Sequence, residues 1–424
     1  MEKVLIIATL WPPNSTTGMY RTKGFVNNLR QSGYEPVLLT LNWSGTQSEQ
    51  DYIIEDYNGI KIFKVSHRES ITKRINKAFE KKFGVIRKVY NLIDKVLWTK
   101  GIWAFQEYKK IFRVSKIVMK ENPGIKKAII ISDPYQLYYI GYYLNKKYGV
   151  NWIADYRDAW TTMEFNEGYT PESRIAVKLR LWLESDAEKK WVGTAKYVTS
   201  VSDHYSRRIS ELVGLPYKTI YNGFFESELK LYHFKKSSGK IVIVYNGTLY
   251  VNQKIEIFLD GFKSFIDSAK HVDIEVRFIG AGNSIESCET ISKHLKGYEK
   301  HYYISKRVSK LELINEINNA DMLLLVSHSK KYKGVATSKI FDYFASQKPV
   351  ICCPGDGDVV EKLLTASGQG FFANSSKEAE ELLSSLVEQI QKDGKIKYDF
   401  NFEETLKYSR ENQTKEMAAL LDTL

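Results

Sequence analysis

The feature that most constrains the fold is a series of short, continuous apolar runs: residues 4–10 (VLIIATL), 128–132 (AIIIS), 322–326 (MLLLV) and 350–353 (VICC). Each is too short to cross a membrane, and each is too uniformly apolar for a strand with one wet face. Strands of this kind lie buried on both sides, the condition of a parallel sheet covered by helices. The segments between them carry helical periodicity, so the chain reads as strand, loop, helix, strand. Residues 4–10, a Pro/Gly loop with Pro12, Pro13, Asn14 and Gly18, a helix over 19–31 and a strand over 36–41 form the first such unit. Strands are also predicted at 152–156, 197–202 and 219–223, with helical segments at 135–147, 171–193 and 203–213.

Residues 224–240 turn polar and basic, with Lys235, Lys236, Ser237, Ser238 and Gly239 in a row, which predicts a linker. The same grammar then restarts. Strands fall at 241–245, 274–279, 302–304 and 322–326, with helices at 255–269 and 311–319. A chain of 424 residues exceeds what one core serves. The expectation is therefore α/β, with two Rossmann-like domains facing across a cleft. The first is 1–236 and the second 237–403, and a helix over 404–424 crosses back to brace the first.

The most informative stretch is 334–353, GVATSKIFDYFASQKPVICC. Ser338 offers a helix N-cap, Ile340, Phe341, Phe344 and Ala345 supply an apolar stripe, and Pro349 ends the helix before a buried strand. A helix start carrying Ser338 and Lys339 can seat a phosphate, because free N–H groups and the macrodipole favour an anion there. Asp342 follows one turn later. From spacing alone, Lys339 and Asp342 also fit a solvated surface pair. In the first half, Gly18 and Arg21 stand where the first helix starts, at the carboxyl edge where ligands bind in such sheets; Arg21 equally fits a solvated helix position. The run Asp155-x-Arg157-Asp158-x-Trp160 brings three charged residues to another strand end, where they must pair or bind something.

Net charge is +12, and residues 71–120 hold fourteen Lys/Arg against three acids. Their apolar positions recur at helical spacing, with Trp98 and Trp103 at the junction of two helices. This fits an anionic membrane face, or a helical insertion packed on its own domain with a solvated basic side. No leader or membrane span is expected in MEKVLIIATLWPP. Three cysteines, Cys288, Cys352 and Cys353, form no disulfide framework and fit a reducing cytoplasm. Asp356-Gly357-Asp358 has the letters of a metal motif but reads as a solvated turn.

Taken in order, Arg21 in its Pro/Gly loop, Ser132-Asp133-Pro134, the Asp155 to Trp160 run, Asn222-Gly223, Tyr245-x-Gly247, Gly280-Ala281-Gly282, Arg307-Val308-Ser309 and the K-x-x-D-Y-x-A-x-x-K-P-V-I block carry a resemblance. The chain resembles GT-B glycosyltransferases, in particular the family 4 retaining enzymes of bacterial surface-polysaccharide assembly. That resemblance implies transfer from a nucleotide sugar, UDP-linked by expectation, to a lipid-linked or saccharide acceptor. With no D-x-D motif in a suitable loop, no cofactor and no metal are expected, and the basic helices at 71–120 suit a place in the cytoplasm against the inner membrane face. Lys339 would meet the donor diphosphate, with Ser338 beside it, and Asp342 the ribose. Arg307 and Val308 would lie at the base or phosphate, and Gly18, Arg21, Gly247, Lys254 and Gly280 around the donor. Asp155, Arg157 and Asp158 would orient acceptor or sugar as the catalytic group. The pattern departs at Gly334, where relatives carry a further acid, and at Thr248 and Gln253, where they often carry Arg and Lys. Two other readings stand beside it: a nucleotide-sugar epimerase of the same architecture, and a basic nucleic-acid-binding protein, although no recognised nucleic-acid module is visible.

Overall fold

A computed structural model describes residues 1–44, 51–66, 84–102, 108–162, 174–233, 239–250, 253–328 and 332–424. The chain forms two compact units, Met1–Tyr221 with Gln413–Leu424, and Asn222–Asn412.

In the first unit the apolar runs become β1 (Glu2–Ile7), β2 (Tyr34–Asn42), β5 (Lys127–Ile131), β6 (Asn151–Tyr156), β7 (Tyr197–Ser200) and β8 (Tyr217–Thr219). The sheet also holds β3 (Tyr52–Tyr57) and β4 (Ile60–Ser66), in the order β3-β4-β2-β1-β5-β6-β7-β8. All pairs are parallel except β3 with β4. The order reverses between β1 and β5, the switch point of a doubly wound sheet. That hairpin is absent from the sequence-based reading, although Asn58-Gly59, both at positive φ, is the turn that two-residue hairpins favour.

Helices α1 (Thr17–Asn28), α2 (Gly84–Thr99), α3 (Lys109–Glu121), α4 (Leu137–Tyr148), α5 (Arg174–Val192) and α6 (Asp203–Val213) belong to this unit. The expected insertion at 71–120 needs correction. Helix α3 buries Ile111, Val114 and Val118 against β2 and β4, so it is a crossover helix of the sheet itself. Its basic side is partly used within the unit. Lys110 and Arg113 pair with Asp51 at 3.1 and 3.3 Å, and Lys116 lies over the Phe112 ring. Trp98 of α2 is buried against Trp160 and Trp191 rather than presented outward. Trp103, and residues 71–83 of the basic run, lie outside the described residues.

The second unit contains β9 (Ile241–Asn246), β10 (Ile274–Ile279), β11 (Tyr302–Ser305), β12 (Met322–Leu325), β13 (Val350–Cys352) and β14 (Gly370–Phe372), all parallel. Their order is β11-β10-β9-β12-β13-β14, with the switch point between β9 and β12. Helices α7 (Glu256–Ser268), α8 (Ile285–His294), α9 (Lys310–Asn318), α10 (Lys339–Ser346), α11 (Val359–Ser367), α12 (Ser376–Asp393) and α13 (Phe402–Leu406) cover it. One core joins β9, β10 and β12 to α7 and α12 through Ile243, Phe258, Phe262, Leu383 and their neighbours.

The boundary lies earlier than the polar stretch suggests. Residues 222–233 fold with the second unit because Phe224 pairs with Ser409, and Asn318 binds the Leu231 carbonyl and the His233 amide. Of the predicted linker, residues 234–238 lie outside the described residues. The final helix, α14 (Arg410–Asp422), returns to the first unit, where Met417, Ala418 and Leu421 join the core of Val4, Ile6 and Phe25.

Candidate functional site

The carboxyl end of β9 and the first turn of α10 interlock residue by residue. Tyr245, the last fully buried aromatic of β9, accepts a hydrogen bond from Lys339 Nζ at its hydroxyl, and the ammonium lies 4.1 Å from its ring centroid. The next residue, Asn246, donates through Nδ2 to Asp342 at 3.2 Å, and its backbone N–H donates to the Tyr343 hydroxyl at 3.1 Å. Gly247, at φ +95°, leaves room for the Lys339 stem: a Cβ there would stand 2.9 Å from Cε. Gly280, at φ +94°, closes the turn from the other side, where a Cβ would stand 3.2 Å from the Gly247 Cα. Two glycine turns and a helix start thus meet at the switch point of the sheet, where open α/β sheets bind ligands.

Lys339 and Asp342 do not pair. Lys339 binds the Tyr245 hydroxyl and the Thr248 carbonyl, the latter at 3.1 Å, and has no carboxylate partner among the described residues. Burial pushes its ammonium down to about 7. Burial, and then the charge of Lys339, push nearby His328 down to about 4. Asp342 instead takes the ammonium of Lys310, which also lies 3.6 Å from Glu228. Burial alone would lower Lys310, and Asp342, with Tyr232 and Glu228, more than reverses this. Glu228 is itself raised, by burial first and against the pull of Lys310.

The other expected positions divide. Ser338 sits in helical conformation and its side chain does not cap α10, contrary to the N-cap expectation. Arg307 is exposed, with its backbone N–H on Asn283, and half-buried Val308 leads into the Ser309–Glu312 capping box of α9. Lys254 is exposed and forms no ion pair among the described residues. Gln253 is buried and binds the Val326 carbonyl at 2.6 Å, a structural role. Gly334 donates its N–H to Asp358, while Asp356 receives the Val360 and Glu361 amides that open α11. The Asp356-Gly357-Asp358 turn therefore serves the backbone, and no cluster of metal-binding side chains occurs among the described residues.

In the first unit, Arg21 and Asp155 form a fully buried bidentate pair, so Arg21 is not the solvated helix residue it equally fitted. Thr199 also donates to Asp155, and Arg21 reaches the Ile220 and Tyr221 carbonyls. Together they tie α1, β6, β7 and the chain after β8. Arg157 lies over Gly18, where a Cβ would meet its Nη1 at 2.6 Å. Asp158 is at the surface, yet its carboxyl is raised, by desolvation first, with Arg157 opposing and Asp133 adding. Behind this rim, fully buried Glu188 takes the Tyr156 hydroxyl at 2.9 Å and the Thr161 hydroxyl at 2.6 Å, and burial pushes it up to about 7.

Residues 240–392 match the family model described as glycosyl transferases group 1. That match falls within the second unit. The chain as a whole has the GT-B fold of several solved glycosyltransferases. A sucrose-phosphate synthase from Thermosynechococcus elongatus is similar at 13% identity and TM-score 0.62, covering 100% of this chain and 99% of that one. An α,α-trehalose-phosphate synthase (UDP-forming) from Burkholderia vietnamiensis is similar at 11% identity and TM-score 0.62, with 100% and 99% covered. The Anabaena protein HepE, solved in complex with UDP and glucose, is similar at 12% identity and TM-score 0.59, with 100% of both chains covered. No curated protein matches in sequence. In fold the chain is similar to glycosyltransferases, and within its second unit it carries the glycosyl transferase group 1 match.

Lys310, Glu228 and Glu188 are neighbours of the candidate positions that sequence reasoning missed, and Tyr245, named there only within Tyr245-x-Gly247, was given no role. The signal for Tyr245 was present, a hydroxyl-bearing residue closing an otherwise aliphatic strand directly before Asn246-Gly247. Nothing in the sequence marks Lys310 or Glu188, whose partners come from remote segments.

Proposed function

We propose that the chain moves a sugar, with retention, from a nucleotide sugar to a lipid-linked or saccharide acceptor at the cytoplasmic face of a membrane, as a step in surface-polysaccharide assembly. The observation that carries the donor half is Lys339, a half-buried side chain with no carboxylate partner among the described residues, at the switch point of the second sheet. A dianionic leaving group supplies the missing charge, and the free N–H groups at the start of α10 add to it. UDP is the favoured nucleotide, because one similar structure holds UDP and another is of a UDP-forming enzyme.

In this reading the bond between the anomeric carbon and the diphosphate oxygen breaks as negative charge collects beside Lys339. The acceptor oxygen bonds the anomeric carbon on the same face and passes its proton to the departing diphosphate, so no strong protein base is needed. Asp342, already oriented by Asn246 and Lys310, keeps lone pairs for the ribose hydroxyls. Arg157 and Asp158 orient the acceptor or sugar, and the chemistry runs without a metal. Thermal-shift and saturation-transfer measurements against UDP, GDP, ADP and CMP sugars identify the donor. Affinity for the best donor is expected to fall at least tenfold in Lys339→Ala and to survive EDTA. Unchanged affinity in that variant removes the donor assignment.

The membrane half rests on the basic run and on exposed apolar side chains beside it: Leu92, Ile93 and Val96 on α2, and Trp182 on the adjoining α5. No described helix is long and apolar enough to cross a membrane. Contact is therefore proposed to be peripheral.

A further inference from the structure

Among the described residues three groups contact the Lys339 ammonium, and none is charged. The Tyr245 hydroxyl accepts one N–H, the Thr248 carbonyl accepts another at 3.1 Å, and the Tyr245 ring lies beneath at 4.1 Å. The same hydroxyl donates to the Thr248 carbonyl at 3.0 Å, which fixes its own orientation. Tyr245 is fully buried on a central strand, paired with β10 on one side and β12 on the other. An ammonium carries three N–H groups, so one remains without a protein acceptor among the described residues.

We propose that Tyr245 is the positioning residue of the donor site: its hydroxyl and ring fix the Lys339 side chain so that the remaining N–H meets the diphosphate at the Gly247–Gly280 turn. This rests on the reading of Lys339 as the diphosphate partner. The physical need is specific. A lysine stem has several rotatable bonds whose freedom must be lost and no planar fork to pre-organise it. Carboxylates usually fix such a side chain, but a carboxylate here would compete with the anionic ligand. A buried phenol accepts from the ammonium without cancelling its charge, and the ring face adds attraction for the cation.

The test uses the full-length protein, with inorganic pyrophosphate and UDP as ligands and UMP as control, titrated calorimetrically between pH 6 and pH 9. Wild type, Tyr245→Phe, Tyr245→Met and Lys339→Met are compared. Tyr245→Phe keeps the ring and removes the acceptor. It is expected to weaken pyrophosphate and UDP about tenfold near pH 8 and less near pH 6, because the charged lysine loses a hydrogen bond and deprotonates at lower pH. UMP affinity stays unchanged. Tyr245→Met, which also loses the ring, weakens the diphosphates further. Lys339→Met removes both the affinity difference between UDP and UMP and its pH dependence.

If Lys339→Met weakens the diphosphates while both Tyr245 variants bind like wild type at every pH, the positioning role is overturned and the donor reading stands. The role also falls if the Tyr245 variants weaken UDP and UMP equally with no change in pH dependence, the mark of a merely structural residue. If Lys339→Met binds like wild type, the donor reading falls and this inference falls with it.

Discussion

Arg21 and Asp155 meet as a bidentate pair, Nε to Oδ2 at 2.7 Å and Nη2 to Oδ1 at 2.6 Å, with neither side chain more than 1% exposed. A buried pair of this kind is strongly coupled, because removing one member strands the other charge out of water. Arg21→Ala and Asp155→Asn are each expected to destabilise the first unit by about 3–5 kcal/mol, while the double variant loses well under the sum. Urea midpoints of the two singles and the double measure this. Additive losses would mean that the two charges are independently solvated.

Lys339 imposes a stability penalty where the donor reading gives it a use. Its folded-state value of about 7 lies below the unfolded value of about 10.4. The unfolded chain therefore holds the extra proton between these values, and the native state gains stability as pH rises from 7 toward 10. Lys339→Met should accordingly stabilise the protein by about 1–3 kcal/mol at pH 7, with the gain shrinking at higher pH. Thermal unfolding at pH 7 and pH 9 reads the difference. A destabilised variant at pH 7 would contradict it.

Glu188 predicts the opposite slope. Its folded-state value of about 7 exceeds the unfolded value of about 4.3, so the native state holds the extra proton between them. Stability tied to this residue falls as pH rises from 4.3 to 7, and above 7 a buried carboxylate remains charged. Glu188→Gln should flatten the dependence between pH 5 and pH 8 and raise stability at pH 8 by about 1–2 kcal/mol. Urea unfolding across that range is the check.

Gly247→Ala tests the turn beneath Lys339. The residue sits at φ +95°, and the added Cβ would press on the lysine stem at 2.9 Å. A loss of about 1–2 kcal/mol in stability and at least a fivefold drop in pyrophosphate affinity are expected. Retained affinity would show that the stem has another path.

Membrane contact predicts loss of cosedimentation with anionic vesicles when Lys81, Lys82, Arg87 and Lys88 become Glu. A partial loss is expected when Ile93 and Trp182, at 49% and 62% exposure, become Ser. Wild-type binding in both variants would end the membrane proposal.

The sheets were legible in the sequence because both are parallel apart from the β3–β4 hairpin, and their central strands, such as Met322–Leu325, appear as apolar runs that helices separate. The β3–β4 hairpin was not, because β3 is half-exposed and its alternation is weak, even though Asn58-Gly59 marked the turn. In the site, Lys339 and Asp342 stood out by type and spacing. Their partners did not: Tyr245 is 94 residues from Lys339, and Lys310 is 32 from Asp342. Arg21 and Asp155 looked like ligand contacts because a charged residue at a strand end must be answered by something. Sequence alone does not tell whether that answer comes from a substrate or from a residue 134 positions away.

Helix α14 gives the two units different histories during synthesis. Every residue of the second unit lies in one uninterrupted stretch, Asn222–Asn412, so its core is assembled from neighbours that leave the ribosome in succession. The first unit begins earlier but stays open along the face that Met417, Ala418 and Leu421 cover, and Tyr34 must wait for Asp422. The half of the chain that is made first is therefore the half that is finished last.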